Sequence, residues 1–155
     1  MSVFRFRFAF TLIELMVVLG LLATIALFPA IEGLSAIERS LWYEDAERIE
    51  YALRTARAAA QANRCYIEPC SKPKVQGVHV DSRTVSLFEG LEFSGTNVYT
   101  SYSLSGRAEV TPATVLFSSG SGAAQERVLH IRYPSGTGRS ITVNAAGMID
   151  HRFEP

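Results

Sequence analysis

The sequence predicts an α+β fold in which a long N-terminal transmembrane and amphipathic helix packs on an antiparallel β-rich head. Three observations lead to this prediction. From 10 to 31 the only charged residue is Glu14. From 35 to about 63, apolar residues recur at three- and four-residue steps, and from 75 onward short β-type runs alternate with turn residues. The 155 residues carry no net charge, which disfavours a strongly basic nucleic-acid binder and an acidic disordered tail.

The apolar segment over 10–31 is long enough to span a bilayer as a helix. Its length corresponds to a rise of about 33 Å, and a hydrocarbon core is about 30 Å thick. The flank before it carries Arg5 and Arg7 and no acidic residue. The positive-inside rule therefore places 1–9 in the cytoplasm and the body of the protein outside it. A cleaved secretory signal is the alternative, but such signals have a shorter apolar region and a small-x-small cleavage site.

Glu14 is the informative residue of this segment. An ionised carboxylate within a transmembrane helix costs about 2.5–3.5 kcal/mol, so we expect it to have a cationic partner. No Lys, Arg or His occurs between 10 and 37, and the partner must therefore come from outside this helix. In the alternative interpretation, Glu14 lies near the membrane interface, reaches water and has no role.

Residues 10–19 read Phe-Thr-Leu-Ile-Glu-Leu-Met-Val-Val-Leu after a short basic leader. This segment resembles the N-terminal signature of type IV prepilins and of type II secretion pseudopilins. In that family a prepilin peptidase cuts before the Phe and methylates the new amino group. The resemblance places the cut between Ala9 and Phe10, with Ala9 where family leaders most often end in Gly. It also implies that Glu14 is an assembly residue that pairs with the Phe10 amine of a neighbouring filament subunit.

Together, the patterns and the resemblance predict a prepilin leader at 1–9, a transmembrane and assembly helix at 10–34, an amphipathic helix of the head at 35–63 and a β-rich periplasmic head at 64–155. Pro29 is a candidate hinge because proline removes a backbone hydrogen bond from a helix. The implied partners are other pilin or pseudopilin subunits, prepilin peptidase, inner-membrane lipid and a secretion or pilus assembly platform. The implied location is the bacterial inner membrane, single-pass, and then the assembled filament.

The amphipathic helix carries charges at i,i+4 spacing, namely Glu44 with Arg48 and Glu50 with Arg54. Such pairs support a helix by a few tenths of a kcal/mol each. We interpret these four charges as a solvated face.

Cys65 and Cys70 flank the proline-containing stretch that ends this helix. Outside the cytoplasm they can form a disulfide that joins the helix end to the first strand and contributes about 2–3 kcal/mol. A free thiol pair is the alternative, and the spacing does not fit a catalytic Cys-x-x-Cys motif. The β-type runs that follow are Val75–Val80, Thr84–Phe88, Asn97–Leu104, Thr114–Ser118, Arg127–Tyr133, Ser140–Val143 and Met148–His151.

The plan of the whole chain also resembles the GspH/FimT branch of pseudopilins and minor pilins. The similarity lies in the Ala/Arg-rich helix over 53–63 and the closing hairpin over 138–149, with its predicted tight turn at 144–147. Some FimT-like pilins bind DNA through a basic C-terminal region. Here 150–154 has mixed charge, so nucleic-acid binding is not expected.

The sequence indicates no catalytic chemistry. His79, His130 and His151 stand apart, without metal-ligand or nucleophile spacing. We expect no catalytic residue, cofactor or metal. The predicted function is a structural minor subunit, pseudopilin or minor pilin, of a type IV pilus-like filament, most simply in type II protein secretion. The alternatives are a type IV pilus minor pilin in pilus assembly or DNA uptake, and a membrane-anchored binding domain that never polymerises.

Overall fold

The computed structural model describes residues 11–70 and 74–154, and within this range the side chains of 26–42 are not described. The chain divides into two compact units, Met1–Arg39 and Ser40–Pro155. The elements of the described residues are α1 (Leu12–Gln61), β1 (Gln76–Val80), β2 (Thr84–Glu89), β3 (Val98–Ser103), β4 (Glu109–Val110), β5 (Ala113–Phe117), β6 (Arg127–Arg132), β7 (Gly138–Val143) and β8 (Ile149–Glu154).

Side-chain capping and a left-handed residue set the ends of α1. At its start, the Thr11 hydroxyl accepts a long hydrogen bond, 3.4 Å, from the Glu14 amide, as an N-cap residue does. After Gln61, Asn63 adopts a left-handed conformation with a φ of 50°. Asparagine tolerates this conformation better than most residues, and it terminates many helices.

The structure does not support the predicted membrane-spanning helix. Within the described residues, no helix combines the length and the apolar character that crossing a bilayer requires. The predicted fold class, with its transmembrane helix over 10–34, is therefore wrong, and so is the predicted single-pass location in the inner membrane.

The unit Ser40–Pro155 contains two antiparallel sheets of four strands each. Their strand orders are β3-β2-β1-β5 and β4-β6-β7-β8, and all the described strand pairs are antiparallel. The strand β8 is thus an edge of the second sheet. The turn before β8 closes with the Gly147 amide donating to the Asn144 carbonyl at 2.8 Å, which confirms the predicted tight turn at 144–147.

Apolar residues of α1 and of both sheets form one buried cluster in this unit. The helix contributes a stripe of mostly small side chains at three- and four-residue steps: Ala46, Ile49, Ala52, Leu53, Ala56 and Ala60. The strands contribute alternate residues, as expected when one sheet face is buried: Val78, Val80, Val85, Leu87, Val115, Phe117, Leu129, Ile131, Ile141 and Val143. The buried Asp45 accepts hydrogen bonds from the amide and the hydroxyl of Ser105 and so ties the loop after β3 to α1.

Candidate functional site

The structure places only some of the residues predicted for processing and assembly. Ala9 and Phe10 lie outside the described residues. Glu14 lies in the first turn of α1. Pro29 falls within the bounds of the same helix, and its side chain is not described.

The start of α1 carries an exposed apolar surface, which we call the N-terminal apolar surface and define as 12–25. Glu14 is its only charged residue. Its large apolar side chains are between 43% and 77% exposed, and they are Leu12, Ile13, Leu15, Met16, Val17, Val18, Leu19, Leu21, Leu22 and Ile25. Single exposed apolar residues are ordinary, whereas a contiguous set of this size marks a surface that another molecule covers.

The predicted disulfide is present in the unit Ser40–Pro155. Cys65 and Cys70 are bonded, with their Cα atoms 5.7 Å apart, which confirms the predicted pairing. The bridge closes a short loop between the end of α1 and the start of β1. Glu89, which no sequence pattern indicated, anchors the same loop.

Glu89 is a buried carboxylate at the end of β2. One of its oxygens accepts from the Tyr66 amide and from Gln76 Nε2, the latter at 3.2 Å. The other oxygen accepts from the Ile67 amide at 3.1 Å and lies 3.3 Å from Lys74 Nζ.

The four donors determine the ionisation of Glu89. Burial alone raises the pKa of this carboxyl, but the hydrogen bonds from Tyr66, Gln76, Ile67 and Lys74 outweigh it, so the net pKa is lowered from its ordinary 4.5. The carboxylate is therefore ionised at neutral pH and fully partnered. Its role is to hold the disulfide loop on the sheet.

A groove lies between the exposed side of α1 and the edge strand β8, and we call it the α1–β8 groove. Its volume is about 540 Å³, within the range of small binding sites. Its lining residues are Tyr43, Glu47, Glu50, Tyr51, Arg54, Arg139, His151 and Phe153. The aromatic members lie partly exposed, and Tyr43 meets Phe153 edge to face at a centroid distance of 6.4 Å.

Three basic side chains converge on one carboxylate in this groove. Glu50 Oε1 lies 2.5 Å from Arg54 Nη2, and Glu50 Oε2 lies 3.1 Å from Arg139 Nη2. His151 Nδ1 is 3.7 Å from the same Oε2. Glu50 and Arg139 have side chains only 11% and 7% exposed, whereas that of Arg54 is 65% exposed. Because two arginines share one carboxylate, this group of residues has more donors than acceptors.

Strand register brings Arg139 to the groove. Arg139 pairs with Ile131 on one side and with Phe153 on the other, so the three side chains share the inner face of the sheet. The guanidinium lies 5.5 Å from the centre of the Phe153 ring, at cation–π distance. Arg139 Nε is buried and has no hydrogen-bond acceptor among the described residues.

The interpretation of the helix charges as a solvated face is half correct. Glu44 and Arg48 form an ion pair with side chains 49% and 41% exposed. Glu50 instead is buried against Arg139. Alternation along β7 places Arg139 on the same face as Ile141 and Val143, and this was the available sequence signal for a buried arginine.

The described residues contain no group of three or more His, Cys, Asp or Glu side chains that could hold a metal ion. The histidines lie in separate places. His79 stacks on Phe93 at 4.0 Å between ring centres, and His130 Nδ1 is 3.2 Å from Glu154. The third, His151, belongs to the α1–β8 groove, whose lining combines charged and aromatic side chains.

No protein-family model, curated protein or solved structure matches the chain.

Proposed function

We propose that this chain is a structural subunit of a type IV pilus-like filament and that it joins the filament through the N-terminal apolar surface. The observation that carries the proposal is the exposure of ten large apolar side chains on one helical stretch, with a single carboxylate in its first turn. The resemblance of 10–19 to the prepilin signature supports the same function.

The energetic argument starts from the apolar side chains. Burial of one Leu, Ile, Val or Met stabilises an assembly by about 1.5–3 kcal/mol relative to exposure. Residues 12–25 present such side chains on all sides of α1, and a helix that is apolar all round is normally buried. Packing against the same helix of other subunits would remove this surface from water, and the gain increases with every neighbour.

Glu14 then supplies specificity. In water its position in the first turn is favourable, because the helix N-terminus carries partial positive charge. Between packed apolar helices an unpaired carboxylate is costly, so subunits would associate only in a register that brings a cation to it. Cleavage between Ala9 and Phe10 would create that cation, since it frees the amino group of Phe10, and methylation leaves the charge in place.

Processing is the first test. When the full chain is co-expressed with a prepilin peptidase, mass spectrometry should show loss of residues 1–9 and one added methyl group. Ala9→Gly should be cut at least as well, and Ala9→Leu should stay uncut because its side chain is large. Full-length chain alone, under conditions in which a standard prepilin is cut, would contradict the proposal.

Assembly is the second test, with a matched control in the same helix. Glu14→Val should be processed normally and then fail to enter filaments with its cognate subunits in a pull-down assay. Thr24→Val also makes one polar residue of this surface apolar, and it should assemble normally, since the Thr24 hydroxyl carries no charge and donates to the Leu21 carbonyl, at 2.8 Å, within its own helix. Assembly of Glu14→Val at the wild-type level would refute the role assigned to Glu14.

A further inference from the structure

We propose that the α1–β8 groove binds an acidic side chain of a partner polypeptide, carried on an extended segment that lies along β8. This inference does not depend on the filament proposal, because all of the groove residues belong to the unit Ser40–Pro155. The argument rests on unmatched donors, aromatic walls and the free edge of β8.

The unmatched donors indicate the charge of the ligand. Arg54 and Arg139 share the single carboxylate of Glu50, and His151 adds a further ring nitrogen 3.7 Å from it. The Nε of Arg139 is buried without an acceptor in the described part of the chain. A guanidinium binds carboxylates through two parallel hydrogen bonds, and Arg54, whose side chain is 65% exposed, can offer its remaining donors to a second carboxylate.

The acids of the groove favour a single carboxylate over a polyanion. Glu47 also lines the groove, and Glu50 already lies between the arginines. A nucleic-acid backbone would bring several phosphates against these two acids, and like charges at such distances are repulsive. One carboxylate brings a single negative charge beside these two acids and therefore meets less repulsion than several phosphates do.

The aromatic side chains that line the groove and the edge strand β8 indicate that the ligand is a polypeptide. Tyr43, Tyr51 and Phe153 offer flat apolar surfaces that are 49%, 59% and 63% exposed, and such aromatic residues near arginine are typical of protein-binding sites. The edge position of β8 leaves backbone groups free to pair with an added strand. An extended segment on this edge would place alternate side chains in the groove.

A nuclear magnetic resonance titration of the full, nitrogen-labelled chain tests the inference. The probes are acetyl-Phe-Asp-amide and the isosteric acetyl-Phe-Asn-amide. The reporter is the Nε–H signal of Arg139, identified by its loss in Arg139→Lys. We expect a saturable shift with the Asp peptide and an affinity about tenfold or more above that of the Asn peptide, the usual effect of one charge-assisted hydrogen bond.

Two exposed arginines provide a matched pair of variants. Arg54→Gln should weaken binding of the Asp peptide by about two- to fivefold, the range of an exposed charge pair. Arg48→Gln removes an arginine that is likewise exposed and paired at i,i+4, but outside the groove, and should leave binding unchanged.

The remaining outcomes would overturn the inference. These are equal shifts with the two peptides, no saturable shift with either, and equal weakening by the two arginine variants. If acetate alone shifted the Arg139 signal as strongly as the Asp peptide at equal concentration, the groove would be a site for an adventitious ion only.

Discussion

Replacement of Glu89 by glutamine should destabilise the unit Ser40–Pro155 and change its response to acid. The carboxylate joins two backbone amides, Tyr66 and Ile67, to the side chains of Gln76 and Lys74. Glutamine keeps one acceptor oxygen and puts an NH₂ group where the other oxygen was. One backbone amide and one side-chain donor would then face this NH₂ group, which is itself a donor, in a buried place. Lys74 would also lose its ion-pair partner.

The size of the effect follows from these bonds. A buried hydrogen bond to a charged group contributes about 1.5–3 kcal/mol, so the loss of two such bonds should cost about 3–6 kcal/mol. For a chain of this length that lowers Tm by about 6–24 °C.

The pH dependence has a definite sign. Because the pKa of Glu89 is lowered in the folded state from its ordinary 4.5, its contribution is complete above that value and is lost as the pH falls through the folded pKa. The stability gap between wild type and Glu89→Gln should therefore be full at neutral pH and narrow in acid.

Urea denaturation followed by circular dichroism, at neutral pH and at a series of acidic pH values, measures both effects. The control is Glu126→Gln, which changes an exposed glutamate and should alter stability by no more than about 0.5 kcal/mol. Equal stability of Glu89→Gln and wild type, or a gap that stays constant through the acid range, would refute the reasoning.

Three further predictions concern the same unit. Gly77→Ala should lower the free energy of unfolding by about 1–3 kcal/mol, because the new Cβ would lie 2.5 Å from Cε1 and 2.8 Å from Cε2 of the buried Phe88 ring, and urea denaturation measures this. Alkylation of the protein purified without reductant should label neither Cys65 nor Cys70, because the two are bonded, and labelling of both would contradict the bridge. Asp45→Ala should cost about 1–3 kcal/mol by thermal denaturation, because it removes the buried carboxylate that accepts from the amide and the hydroxyl of Ser105.

The local features of the fold were predictable from the sequence. Alternating apolar residues and turn signals located seven strands close to their observed positions, since side chains in a strand alternate between two faces. The strand β4 was missed because its two residues, Glu109–Val110, show no alternation. Helical periodicity located the end of the amphipathic segment near 63, close to Gln61. The apolar run over 10–31 led to the transmembrane prediction, which the described part of the chain contradicts.

The long-range features of the site were not predictable in the same way. Glu50 and Arg54 stand at i,i+4, which is also the pattern of a solvated helix face. Burial of Glu50 depends on Arg139, which is 89 positions away in the sequence and reaches it only through the pairing of β7 with its neighbours. Likewise, Glu89 meets the disulfide loop because β2 pairs with β1. No local periodicity contains this information.

Two buried carboxylates of the same unit differ in a way that separates structure from function. The four donors around Glu89 are matched by its two oxygens, and the network holds one loop in place. At Glu50 the balance is reversed, because two arginines share one carboxylate and a buried N–H of Arg139 has no acceptor among the described residues. An unpaired buried polar atom does not distinguish the two sites, because Gln76 Oε1 beside Glu89 is also buried without a partner among the described residues. The difference lies in access to solvent. The side chain of Arg54 is 65% exposed and can pair with a ligand that enters the α1–β8 groove, whereas that of Lys74, the cation at Glu89, is only 26% exposed.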